Sequence, residues 1–288
     1  NQSTQEINSQ AQNPLGTAPV GGLIAKFAIP AIISMLVSAM YNIVDQIFIG
    51  QGVGMLGNAA TNVAFPVTTI ATALALLLGI GGASNYNLEM GAGQEKKASG
   101  IAGTALSSLV ISGLILAVIA LVFLKPLLTL FGATTDVMPY AVAYTGITAL
   151  GLPFYILSVG GNHVVRADRS PTYSMTCIMI GAIINTILDP VFIFVFGWGI
   201  KGAAWATVIG QVVSGVLVIV YFWKFRNMYL TGAMLKPKMP YLKAIISLGL
   251  ASCINQIAMA IVQIVLNNIL RYYGANSCLL YTSDAADD

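Results

Sequence analysis

Apolar residues run along this chain in seven long blocks, at 23–49, 57–84, 98–124, 138–160, 172–196, 202–223 and 243–270. A helix needs about 20 mostly apolar residues to cross a bilayer, whereas a membrane strand needs about 10 that alternate in polarity. The blocks are too long for strands and show no period of two. They predict seven membrane-spanning helices and an all-α polytopic membrane protein. The breaks between blocks are short, except for "FRNMYLTGAMLKPKMPY" after the sixth, where Gly232, Pro237 and Pro240 stand near Lys236, Lys238 and Lys243. This divides the chain into a six-helix unit (21–226), a linker (227–242) and one further helix (243–277). Residues 1–20 are polar, of low complexity, and read as a disordered lead. Residues 278–288 are acidic and break from the run before them. They are expected to be foreign to the native fold, which makes the chain a C-terminally truncated fragment.

Composition supports the membrane reading. Hydrophobic residues make up 57% of the chain and charged residues only 8%, against about 25% charged in an ordinary soluble domain. The net charge of +3 does not point to nucleic acid, because the basic residues sit at the ends of the apolar blocks and form no continuous surface. Their distribution sets an orientation instead. With the N-terminus in the cytoplasm, ten basic residues fall inside (Lys26, Lys96, Lys97, Arg166, Arg169, Lys224, Arg226, Lys236, Lys238, Lys243) and three outside (Lys125, Lys201, Arg271). That asymmetry is the positive-inside pattern. Trp198, Trp205 and Trp223 lie at block ends, where aromatic belts form. Cys177, Cys253 and Cys278 have no metal-ligand spacing and are expected to form no structural disulfide.

In such a chain, buried charge is the rare event. Asp45 and Asp189 are the acids set well inside blocks, and no lysine or arginine stands at the same depth. A charged aspartate at the bilayer centre costs about 2.5–3.5 kcal/mol on insertion scales, so each should face the bundle interior or a wet cavity. There it can bind and release a proton or a small cation. Asn185 lies one helical turn before Asp189, on the same face. Pro190 cannot bond the carbonyl of Thr186, and Pro30 likewise frees that of Lys26. A bent helix with an amide, a carboxylate and a loosened carbonyl suits a cation. Sodium at Asp45, Asn185 and Asp189 is therefore one expectation and a proton the other, with Thr207 adding a hydroxyl. Tyr41, Asn42, Gln46 and Asn62 are candidates to line a cavity with Asp45, and Asn255, Gln256, Gln263 and Asn267 give the seventh block its polar side. His163 reads as a residue of the turn "GGNHVVRADRS". No cofactor is expected. A shift of 222 residues lays 44–52 on 266–274, with Asp45 on Asn267 and Gly52 on Gly274. Together with the linker at the midpoint, this suggests that the seventh block opens a second copy of the six-helix unit.

Three segments carry a family resemblance: "IPAIISMLVSAMYNIVDQIFIG" (29–50), "INTILDPVFIFVFGWGIKGAAWAT" (184–207) and "LKPKMPYLKAIISLGL" (235–250). As a set they resemble the multidrug and toxic compound extrusion (MATE) transporters, in their bacterial DNA-damage-inducible-like and multidrug-export branch. The resemblance spans about 21–277. It implies two six-helix lobes around a central cleft, so that this chain supplies one lobe and the first helix of the other. It implies a monomeric antiporter of the bacterial inner membrane that expels organic, often cationic, compounds in exchange for protons or sodium. It also implies roles. Asp45 matches the acid of the first helix, Pro30 its bending proline, Asn185 and Asp189 the cation-site pair of the fifth helix, and Thr207 a hydroxyl of the sixth. The competing function within the wider superfamily is a flippase for lipids or lipid-linked oligosaccharides. That would favour basic residues deep in the cleft, and the sequence shows none. No nucleophile, metal cluster or oriented acid–base pair points to an enzyme.

Overall fold

Each apolar block folds as one long helix, because a continuous helix satisfies its backbone hydrogen bonds within lipid. The computed structural model describes residues 20–223 and 235–273. Residues 1–19, the first half of the linker and the acidic tail lie outside them. The helices are α1 (Val20–Gly52), α2 (Met55–Gly91), α3 (Glu95–Val122), the short α4 (Leu124–Leu130), α5 (Met138–Ala167), α6 (Pro171–Pro190), α7 (Ile200–Trp223) and α8 (Met239–Tyr273). All but α4 are long and apolar enough to cross a membrane. The protein is all-α, with six spanning helices in one lobe and a seventh laid against it.

Two details depart from the sequence reading. The fourth block continues as helix through Gly160 and His163 to Ala167, so His163 is a helical residue and not part of a turn. Its glycines mark close packing rather than an end: a Cβ on Gly161 would lie 2.6 Å from the side chain of Val218 on α7. The fifth block, in turn, changes geometry after Pro190. Val191–Val195 form a π-helical turn, closed by the Phe196 N–H donating to the Val191 carbonyl at 2.9 Å.

Small residues set the packing. A Cβ on Gly81 of α2 would collide with the carbonyl oxygen of Ile245, and one on Gly249 of α8 with that of Leu77. Backbones touch backbones at this crossing, as they do where small residues bring membrane helices together. Asn85 ties the same pair of helices by donating to the Ala244 carbonyl at 3.0 Å. Alpha-2 also packs on α5, α5 on α3 and α7, and α7 on α6. Alpha-1 is the exception. It joins α2 through a turn at Gly54, whose φ of +83° suits glycine, but packs chiefly on α6. Alpha-1 thus splays away from α2, and a cavity opens among α1, α2, α5, α6 and α7.

Candidate functional site

The splayed arrangement faces the inner side of α1 toward α6. Asp45 and Asp189 meet there, 7% and 0% exposed, with their carboxyl groups close enough to act on each other. Two carboxylates this close cannot both hold a free negative charge in a dry interior. A proton or a small cation between them removes the repulsion. One oxygen, Oδ1 of Asp45, has no hydrogen-bond partner among the described residues.

Asn185 connects the pair to α7. With its amide nitrogen facing Asp189, it donates to Oδ2 at 3.2 Å, and its oxygen accepts from the Thr207 backbone N–H at 3.2 Å. The α6–α7 contact that allows this is made by glycines: a Cβ on Gly210 would sit 2.8 Å from the Gly181 carbonyl oxygen. Asp189 is the last residue but one of α6, and the π turn follows directly on Pro190. The carboxylate therefore stands at a loosened stretch of backbone. Such π turns recur at functional sites.

Of the residues singled out from sequence, Asp45, Asn185, Asp189 and Thr207 converge, and Tyr41 stands beside them. Pro30 lies far from them along α1, where its carbonyl accepts from the Ser34 hydroxyl at 2.6 Å. Gln46 turns to α2 and accepts from Thr61 at 3.0 Å. Asn42 is exposed and donates back to the Ser38 carbonyl. Asn62 meets α8 through its backbone carbonyl, which accepts from Asn267 at 3.4 Å. Gln263 donates to Asn267 at 3.3 Å, Asn255 is exposed and Gln256 half-buried. Asn62, Asn255, Gln256, Gln263 and Asn267 thus lie away from the acid pair. Tyr144 of α5 joins the site without having stood out in the sequence: it lies beside the Thr207 side chain and near both carboxyl groups. Its only sequence signal is a tyrosine in an apolar block, and this chain has 12 tyrosines. Cys177 and Cys253 are buried free thiols, and Cys278 lies outside the described residues.

A cavity of about 520 Å³ adjoins the cluster. Asn185, Thr207 and Tyr41 border it at one end, and Asn162, His163 and Arg166 at the other. A third buried acid, Asp168, lies where α5 stops. Tyr86 of α2 donates to its Oδ1 at 2.9 Å and Tyr221 of α7 to its Oδ2 at 2.7 Å. It fastens three helix ends and stands apart from the acid pair.

Comparison with known proteins bears on the family and the fold. The chain is 29% identical over 258 residues to the multidrug export protein MepA of Staphylococcus aureus strain MRSA252, covering 89% of this chain and 57% of that protein. The protein of the same name from Staphylococcus haemolyticus matches at 28%, over 86% of this chain and 55% of its own length. Among solved structures, the MATE multidrug transporter DinF-BH superposes with a TM-score of 0.87 at 32% identity, covering 93% of this chain and 61% of that one. The outward-facing conformation of a multidrug resistance MATE family transporter of the MOP superfamily gives 0.80 at 28%, with 91% and 59% covered. The chain therefore spans somewhat over half the length of the relatives it matches. The MatE family model matches residues 30–191, which hold most of α1, all of α2 to α6, and both acids. This chain belongs to the MatE family.

Proposed function

We propose that the chain forms the ion-coupling lobe of a cation-coupled efflux antiporter that exports organic, often cationic, compounds by alternating access. The membrane is the bacterial inner membrane, the N-terminus is cytoplasmic, and the transporter works as a monomer. The relatives' names speak for multidrug export. The observation that carries the reading is the buried pair Asp45–Asp189, bridged to α7 through Asn185 and Thr207. An acid pair without a basic partner is costly in a membrane unless it binds something. A proton or sodium ion arriving at the pair draws α1 toward α6, and its departure releases α1. If drug and ion favour different arrangements of these helices, each drives the other across. Nothing in the cluster requires bond-making chemistry.

Dye efflux from energised vesicles carrying the intact gene product tests this. Asp189→Asn keeps the size of the side chain and removes its charge. It should reach the membrane in normal amount and lose ion-driven export. Asp45→Asn should impair export as well. Normal export by D189N at matched expression would take the acid pair out of the mechanism.

A further inference from the structure

The cavity beside the acid pair reaches almost to the other end of the bundle. Asn185 lies about 21 Å along α6 from its first residue, at 1.5 Å per residue, whereas Arg166 stands one residue before the end of α5. Both border the same space. On α5 its wall is a stripe at helical spacing: Tyr155, Ser158, Asn162, His163 and Arg166.

Polar side chains interrupt a largely apolar lining. Ser158 and Ser214 share a hydrogen bond at 2.6 Å across α5 and α7. Asn162 is 2% exposed, and its amide oxygen has no partner among the described residues. The same holds for Gln211. Orphaned buried acceptors are costly unless water reaches them. At about 30 Å³ per molecule, the cavity has room for a file of waters.

The charge on this wall is one-sided. Arg166 and His163 are its charged and titratable groups at the far end, with the phenols of Tyr41 and Tyr155 nearer the acids. Alpha-2, α6 and α7 add only neutral side chains to the lining. A sodium ion entering here would pass a guanidinium at short range in a low dielectric, which repels it. A proton has another way through. The neutral imidazole of His163 takes a proton on one nitrogen as it gives one up from the other, so no lasting positive charge stands beside Arg166, and waters and serine hydroxyls carry it onward.

We propose that the acid pair exchanges protons, and not sodium, with the cytoplasm through the interior of this lobe, with His163 as relay and Arg166 as the barrier to other cations. On release, a proton leaves the Asp45–Asp189 pair, crosses the water file to His163 and passes to the cytoplasm. The pair keeps one more negative charge, ready for the next proton or for a cationic cargo. This rests on the coupling role proposed above.

Two measurements on the full chain test it. In a background with Cys177→Ser, Cys253→Ser and Cys278→Ser, Ser214→Cys or Gln211→Cys is exposed to small impermeant thiol reagents on inside-out vesicles. Both positions should react from the cytoplasmic face, faster with an anionic reagent than with a cationic one, and Arg166→Gln should erase that preference. In oriented proteoliposomes, the infrared carboxyl band that Asp189→Asn removes should answer a pH jump on the cytoplasmic side. The answer should slow several-fold in His163→Ala and recover with added imidazole. A sodium jump on that side should leave the band unchanged. No labelling at either position, an unaltered rate in H163A, or a response to cytoplasmic sodium would overturn the proposal. If labelling and relay hold but the intact protein exports nothing, the antiport reading fails and the route stands. Export with both cysteines unreactive does the reverse: the antiport reading stands and the route fails.

Discussion

Asp189 and Asp45 can be read from the sequence because a lone acid in an apolar block is expensive, and expensive residues are seldom accidental. Tyr144 cannot be read, since its contact with Thr207 depends on how α5 and α7 register. Asp168 is hidden for another reason. Between Arg166 and Arg169 it looks like ordinary turn charge, and only folding brings the Tyr86 and Tyr221 hydroxyls onto it. Its neighbour supplies a prediction at this scale. Arg169 has a φ of +62°, in the left-handed region where a side chain costs about 1 kcal/mol or more. Arg169→Gly should raise the thermal stability of the protein in detergent by about 1 kcal/mol, provided the lost charge leaves insertion unchanged. A lower melting point would mean that the guanidinium is held by contacts that outweigh the strain.

At the level of elements, the spanning helices are legible from block length alone, but their ends and irregularities are not. Alpha-4 is too short to leave a periodic signal. The π turn after Pro190 depends on local backbone bonding that the run "VFIFV" does not announce. The course of α5 through His163 escapes a sequence reading because glycine marks a break in soluble helices, yet in lipid it permits contact. The α2–α8 crossing turns this into a prediction. Gly249→Ala places a methyl against the Leu77 carbonyl, backbone that cannot turn aside. Overpacking of this kind costs about 1–3 kcal/mol. Thermal unfolding should fall accordingly, while Gly21→Ala, where the added methyl meets nothing within 4 Å, should change little. Equal effects at the two sites would mean that α8 is not seated as described.

For the whole molecule, the basic residues at block ends predict an orientation that can be tested directly. In intact cells, a cysteine placed at Gly199 should react with an impermeant reagent and one at Lys238 should not. The opposite pattern would invert the topology and move Arg166 and His163 to the outer face. The splay of α1 away from α2 is beyond sequence reasoning, because each helix has an apolar surface suited to either neighbour. Its effect on the balance of forces is large. Only 17% of the most apolar stretch of α1 is buried, against 56% for α2. The helix that carries Asp45 is thus held along one side, and the pair with Asp189 lies on that side. Whatever ion occupies the pair is then also a fastener. By mass action, a ligand bound only to the fastened form stabilises it by an amount that grows with the logarithm of ligand concentration. Under the proposed coupling, ion occupancy and the seating of α1 are one equilibrium, and the ion gradient would set how tightly the lobe is closed.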